Sequence, residues 1–477
     1  MLFSSLTFLY FFLPAVLLGG WFLGKKLQNY VLLIFSLLFY AWGGVSAALV
    51  IVGSIVFNYF FGKAIGKASS KERGKRLLVW CVTGNLLVLC VIKYGTFLVE
   101  NLNHALTGFG AGALTVPHIH LIPGISFFTF HAISYVTDIY RKESLAQENV
   151  FTMGLYIVFF PQLIAGPIVR YHEIADQLGV REWSATNIAQ GIRRFIVGLT
   201  KKVIFSNAFA VPADALFGGT LSEIDTPLAW FGLICYSLHI YCDFSGYSDM
   251  ALGLAKMFGF TFPENFNFPY SATSIQDFWH RWHMTLSRWF RDYLYIPLGG
   301  NRNGTLNTYR NLILVFFLTG LWHGASWTMV IWGLFHGLFL VLERLALKNI
   351  LPKLVVVNRI YTLLIVMIAW VFFKSPDIEF AWKYIGKLFG ANAATSVPAR
   401  ALSTYLTVDF IILLITAVLC SGVIAEKCYR YFSEKESSSL LHKVWEPVSY
   451  ITSLLLLLIC TMYLAKQGYN PFIYFQF

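Results

Sequence analysis

Apolar stretches of helix-spanning length recur along this chain, and they leave it few folds to adopt. Residues 45–61, 77–98 and 448–465 are examples, each close to the about 20 apolar residues that carry an α-helix across a bilayer. In hydrocarbon no water satisfies a backbone N–H, so such stretches must close their hydrogen bonds internally. The alternating short strands of a membrane barrel do not occur. Only 13% of the residues are charged, against about 25% in soluble domains. The pattern predicts an all-α polytopic membrane protein forming a single integral-membrane domain over residues 1–477. It should have roughly eleven transmembrane or re-entrant helices.

A net charge of +12 could suggest nucleic acid, but the basic residues cluster between apolar stretches, where they set topology and meet anionic membrane lipid. No nucleic-acid partner is expected. The loop GKAIGKASSKERGKR, residues 62–76, is the strongest basic cluster and should be cytoplasmic. Lys25 and Lys26 follow the first apolar run, which lacks the flanks of a cleavable signal, so the N-terminus is expected outside. Residues 99–120 contain no Lys or Arg and read as an external loop, with His118 and His120 as ordinary loop residues. Residues 192–209, carrying Arg193, Arg194, Lys201 and Lys202, read as partly cytoplasmic surface, and the last residues, 466–477, as an external tail. The seven cysteines show no CxxC spacing, so neither disulfides nor a cysteine metal site is expected.

The chemistry concentrates in residues 263–344. The segment FWHRWHMTLSRWFRDYLY packs arginines, tryptophans and two histidines together, and two pentapeptides follow, GLWHG and GLFHG. Read as one helix over residues 277–294, Trp279, Trp282 and Trp289 share a face with His283, while Arg281, Arg288, Arg291 and Asp292 lie opposite. That is an amphipathic, interfacial pattern. His283 then points at protein or lipid, and could equally be a hydrogen-bonded core histidine. His323 lies between Gly320 and Gly324, whose spacing lets another helix approach, with Trp322 and Trp327 beside it. An ionisable residue at membrane depth marks a functional site by default, and a neutral imidazole in a dry pocket can take a proton from an attacking hydroxyl. His323 is the expected catalytic centre and His283 its neighbour. His336, thirteen residues further on, reads as structural and facing elsewhere on a continuous helix.

Asp243 and Asp249 interrupt an apolar stretch and should line a cavity or pair with a cation, such as an arginine of the next segment. His131 and Asp138 lie in another apolar stretch, after a Pro123-Gly124 pair that could open a re-entrant helix. No HExxH, GxSxG or P-loop occurs, so no metal site, serine nucleophile or ATPase engine is expected.

FWHRWHMTLSRWFRDYLYIPLGGNR followed by GLWHGASWTMVIWGLFHG, together with ISFFTFHAISYVTDIYR, FFPQLIAGPIVRY and YCDFSGYSDMALG, resembles the membrane-bound O-acyltransferase family. The likeness is to its bacterial AlgI-type branch, which acetylates exported polysaccharide, and to the peptidoglycan-acetylating branch. A D-alanyl-transferring branch shares the RWHMTLS core. The resemblance implies helices around a central pore, His323 as the family histidine, and His283 as the second polar position. Trp322, Trp279, Asp243, Arg281 and Asp292 become candidates for lining the substrate path. It also implies acetyl-coenzyme A as donor substrate with no further cofactor, an extracellular SGNH-type acetyltransferase partner, and a polysaccharide acceptor such as alginate, cellulose or peptidoglycan. The bacterial cytoplasmic membrane is the implied location.

The ending FIYFQF resembles that of a small peptide that works with the D-alanyl branch. Tyr474 could therefore be an acyl-relay nucleophile activated by His323, or the tail could be an aromatic interfacial anchor. A transporter or flippase, with intramembrane His and Asp as a proton path, and a scaffold without chemistry are the rival classes.

Overall fold

A computed structural model describes the chain except for Lys25, His118, Val180, Val355 and residues 392–400, 435–439, 467–469 and 472–477. Its regular elements, among the described residues, are all helical. Among the described residues, six helices are long and apolar enough to cross a membrane: Val45–Gly66, Lys71–Gly108, Ala185–Phe217, Trp327–Leu347, Val357–Lys374 and Pro447–Ala465. A seventh span forms if the bent pair Val408–Ser421 and Val423–Tyr431 counts as one, and Phe8–Phe22 and Gln28–Ala41 are shorter apolar helices. The sequence count of eleven also took in shorter or more polar helices such as Ile125–Arg141 and Thr226–Met257.

The chain divides into two compact units, Met1–Ile192 with Ala251–Pro263, and Arg193–Met250 with Glu264–Phe477. In the first, the helix Ile125–Arg141 starts after Gly124, whose φ of 77° suits glycine, and fourteen of its seventeen residues are buried. It is a core element, which explains the histidine and aspartate in an apolar stretch: both His131 and Asp138 are fully buried. Residues 99–120 are not all loop, since helix continues to Gly108.

In the second unit, Ala185–Phe217 and Thr226–Met257 cross where Gly198 meets Gly246; a Cβ on either would collide with the other's carbonyl oxygen. That close approach pairs Lys202 with Asp243 (2.7 Å) and Lys201 with Asp249 (2.7 Å), and Asp249 also holds Arg194 at 2.9 Å. Lys202 is thereby buried, while the Lys201 side chain keeps about a third of its surface exposed. Both lie inside a helix of membrane-spanning length, because each has an acid one helix away. The acids do pair with cations, but the cations come from the preceding helix.

The two pentapeptides form a helical hairpin rather than one long helix. Thr305–His323 ends at His323, Gly324 is extended, and Ser326 caps Trp327–Leu342 by accepting from the Met329 N–H at 3.3 Å. Gly320 and Gly333 face each other across the hairpin, where side chains would strike the Met329 and Phe316 carbonyls. Gly320 thus does admit a close helix, and that helix is the chain's own next segment.

Candidate active site

The expected helix over residues 277–294 is broken. Ile275–Arg281 and Met284–Phe290 are separate short helices, and His283 stands between them with φ 43° and ψ 51°. A non-glycine residue in this region costs about 1–3 kcal/mol and persists only where its surroundings hold it there. Here Asn265 does so. Its backbone C=O accepts from the Met284 N–H at 3.0 Å, and its side-chain Oδ1 accepts from the Thr285 N–H at 3.3 Å and hydroxyl at 2.9 Å. Asn265 Nδ2 donates in turn to Ser248 Oγ at 2.9 Å. With its amide so oriented, Asn265 Oδ1 faces His283 Nδ1 at 3.0 Å as an acceptor. The proton therefore resides on Nδ1. Nε2 is left as a buried lone pair with no hydrogen-bond partner.

His323, 5% exposed, terminates its helix inside an aromatic box. Its ring centre is 4.9 Å from Trp322, 4.9 Å from Trp332 and 5.4 Å from Phe373. The two candidate histidines are brought together, with ring centres 6.5 Å apart and Trp322 within 6.0 Å of His283. Phe244 closes the far side of His283 at 4.7 Å.

A cavity of about 420 Å³ is lined by residues adjoining this pair in the chain, though by neither histidine itself. Its lining includes Thr319, one turn before His323, and Met284, next to His283, with Trp279 and Phe316 as apolar walls. Arg288, Arg291 and Arg344 supply its positive charge. An apolar slot with clustered cationic groups suits an acyl chain or thioester arm attached to an anionic carrier.

The remaining expected site residues fall elsewhere. Arg281 does not line the cavity; it pairs with Asp277 at 2.8 Å and Glu426 at 3.2 Å. Asp292 pairs with Arg291 at 2.7 Å. Asp243, fully buried, is held by Lys202 rather than lining a path. Tyr474 lies outside the described residues. His336 is not turned away, as a continuous helix would require. Its ring lies 5.2 Å from Trp279, on another helix, and 5.2 Å from Trp332, one turn earlier on its own. Among the described residues, the side chains grouped closely enough to hold a metal ion are Asp138, Glu143 and His172, a group that includes neither candidate catalytic histidine.

Asn265, Ser248 and Thr285 were missed. Asn265 stands in the run PENFNFPY at the start of residues 263–344, yet hydrophobic periodicity carries no signal for a residue whose work is hydrogen bonding across a helix break.

The molecule is a multi-pass helical membrane protein that buries two histidines side by side, and a separate lining of apolar side chains and three arginines forms a cavity next to them in the chain. The chain belongs to the membrane-bound O-acyltransferase family, whose model matches residues 112–375, and it is an O-acyltransferase. It is 44% identical over 394 residues to a probable alginate O-acetylase AlgI of Pseudomonas aeruginosa, covering 82% of this chain and 75% of that one. To the probable alginate O-acetylase AlgI of Azotobacter vinelandii it is 38% identical across 100% of both chains. A peptidoglycan O-acetyltransferase of Helicobacter pylori is 37% identical, over 83% of this chain and 81% of that protein.

Proposed function

We propose that this enzyme takes acetyl groups from acetyl-coenzyme A at the cytoplasmic face of a bacterial inner membrane and passes them across for O-acetylation of an extracellular or periplasmic polysaccharide. Both termini are external in this reading, and an SGNH-type acetyltransferase outside completes the transfer. The observation that carries it is the buried histidine pair, with their chain neighbours Met284 and Thr319 lining a cavity that also carries Arg288, Arg291 and Arg344. The names of the relatives support an acetyl group and a cell-envelope polymer as acceptor.

The chemistry asks for one base and one nucleophile. A hydroxyl oxygen attacks the thioester carbonyl carbon, the C–S bond breaks, and a C–O ester forms. His323 accepts the hydroxyl proton and returns it to the departing thiolate. His283, fixed by Asn265, offers Nε2 to the same reacting centre. The Tyr474 phenol is the proposed first acceptor, from which the partner draws the acetyl group.

The test is to incubate purified protein with acetyl-labelled acetyl-coenzyme A and map any label by peptide mass, beside His323→Ala and Tyr474→Phe. Label on the C-terminal peptide that vanishes in both variants supports the relay. Thioester turnover without a labelled tyrosine keeps the enzyme and removes the relay. Acetylation that survives His323→Ala overturns the reading.

A further inference from the structure

The second unit buries a charge pair that the histidine site does not use. Lys202 Nζ lies 2.7 Å from Asp243 Oδ1, with 2% of the lysine side chain and none of the aspartate exposed. Taking both charges out of water is costly, and replacing a buried ion pair by apolar residues is often neutral or stabilising. The pair has a further contact. Lys202 Nζ also donates to the backbone carbonyl of Pro471. Five residues on, Asn207 Nδ2 donates to Asn470 Oδ1 at 3.2 Å. The carboxylate itself is steadied by Ser206 Oγ at 3.3 Å, a hydroxyl that also meets His239 Nδ1 at 3.0 Å.

The path of the chain gives these contacts their meaning. The last helix, Leu440–Ala465, runs in the same direction as Ala185–Phe217: Arg193 donates to Ser449 at 3.0 Å, and Thr200 meets Cys460 at 3.8 Å. After that helix, Asn470 meets Asn207 and Pro471 meets the earlier Lys202, so the chain has turned back on itself. A lysine has three donors; one holds Asp243 and another the tail's backbone, a grip that needs no particular tail side chain.

We propose that Lys202, Asp243 and Asn207 anchor the C-terminal tail at Asn470–Pro471, and that this anchor is needed for acetyl transfer. The part of this that concerns transfer rests on the function proposed above; the anchoring itself does not.

Hydrogen–deuterium exchange on the intact protein, following the C-terminal peptide from Lys466, tests it. Lys202→Met combined with Asp243→Leu removes both charges so that neither is left unpaired, and Asn207→Ala removes the second contact mildly. The anchor predicts about tenfold faster exchange in the tail of the double variant, a smaller rise in Asn207→Ala, and unchanged exchange in Thr305–His323. It also predicts a fall in kcat for transfer with an unchanged donor KM. Tail exchange equal to wild type in both variants overturns the anchor. If the double variant loosens throughout, Asn207→Ala decides: a rise confined to the tail supports the anchor, and none overturns it. Faster tail exchange with no change in kcat keeps the anchor and removes its role in transfer.

Discussion

Asn265 sets the tautomer of His283. Its Oδ1 already accepts from Thr285, so the His283 Nδ1 facing it at 3.0 Å must donate, and Nε2 keeps its lone pair. Replacing Asn265 by Ala frees the ring to rotate and take the other tautomer. Activity should fall on the order of 100-fold, the scale of a lost acid–base contribution, mainly in kcat. Steady-state kinetics check this, and an unchanged kcat would remove His283 from the reaction.

The Gly320–Gly333 contact carries His323 into its aromatic box. Gly320→Val pushes the hairpin apart, because its side chain would meet the Met329 carbonyl. Overpacking of this kind costs about 1–3 kcal/mol. The melting temperature in detergent should drop, and activity should fall further than the stability loss explains, since His323 is one turn away.

Charge reversal at the cavity tests the donor. Arg288→Glu or Arg344→Glu should raise the acetyl-coenzyme A KM about tenfold, equivalent to 1.4 kcal/mol, with little change in kcat. The effect should shrink at high salt, because exposed charges are screened. A KM that ignores both variants would place the anionic part of the donor elsewhere.

His336 is fully buried with neither ring nitrogen hydrogen-bonded, and it stacks on Phe278 with ring planes 3° apart. Unpaired buried polar groups cost about 1–3 kcal/mol. His336→Phe should therefore leave stability unchanged or raise it by about 1 kcal/mol, and keep most of the activity. Loss of activity from this variant in a well-folded protein would give His336 a chemical role.

The His172 side chain is predicted to make stability depend on pH. Its hydrogen bond to Asp138, at 3.0 Å, raises its affinity for a proton above the ordinary value of 6.5, with partial burial acting the other way. The protonated form is favoured by the fold, so this stabilisation is complete below 6.5 and fades as pH rises through the higher folded value. Melting temperature from pH 5.5 to 9 should show the decline, and His172→Gln should flatten it.

Membrane residence, the all-helical class and the position of the two histidines were legible in the residues. Twenty apolar residues in a row admit few other structures, and histidines between tryptophans and glycines stand out against hydrocarbon. Helix breaks were less legible. Residues 277–294 keep a helical rhythm across Trp282–His283, and nothing local announces that Asn265 will hold His283 at φ 43°. The ion pairs of Lys201 and Lys202 were hidden for a similar reason, since their acids, Asp249 and Asp243, lie on the next helix, more than forty residues away in sequence.

By itself the sequence determined what the solvent demands: apolar, backbone-satisfied helices, and a few polar side chains too costly to be incidental. Only the tertiary structure decided which polar groups meet. A hydrogen bond or an ion pair depends on two segments approaching within about 3 Å, and that approach is set by packing between distant helices, as where Gly198 meets Gly246 and Gly320 meets Gly333. Composition and periodicity describe each helix against its surroundings; neither contains the register of one helix against another.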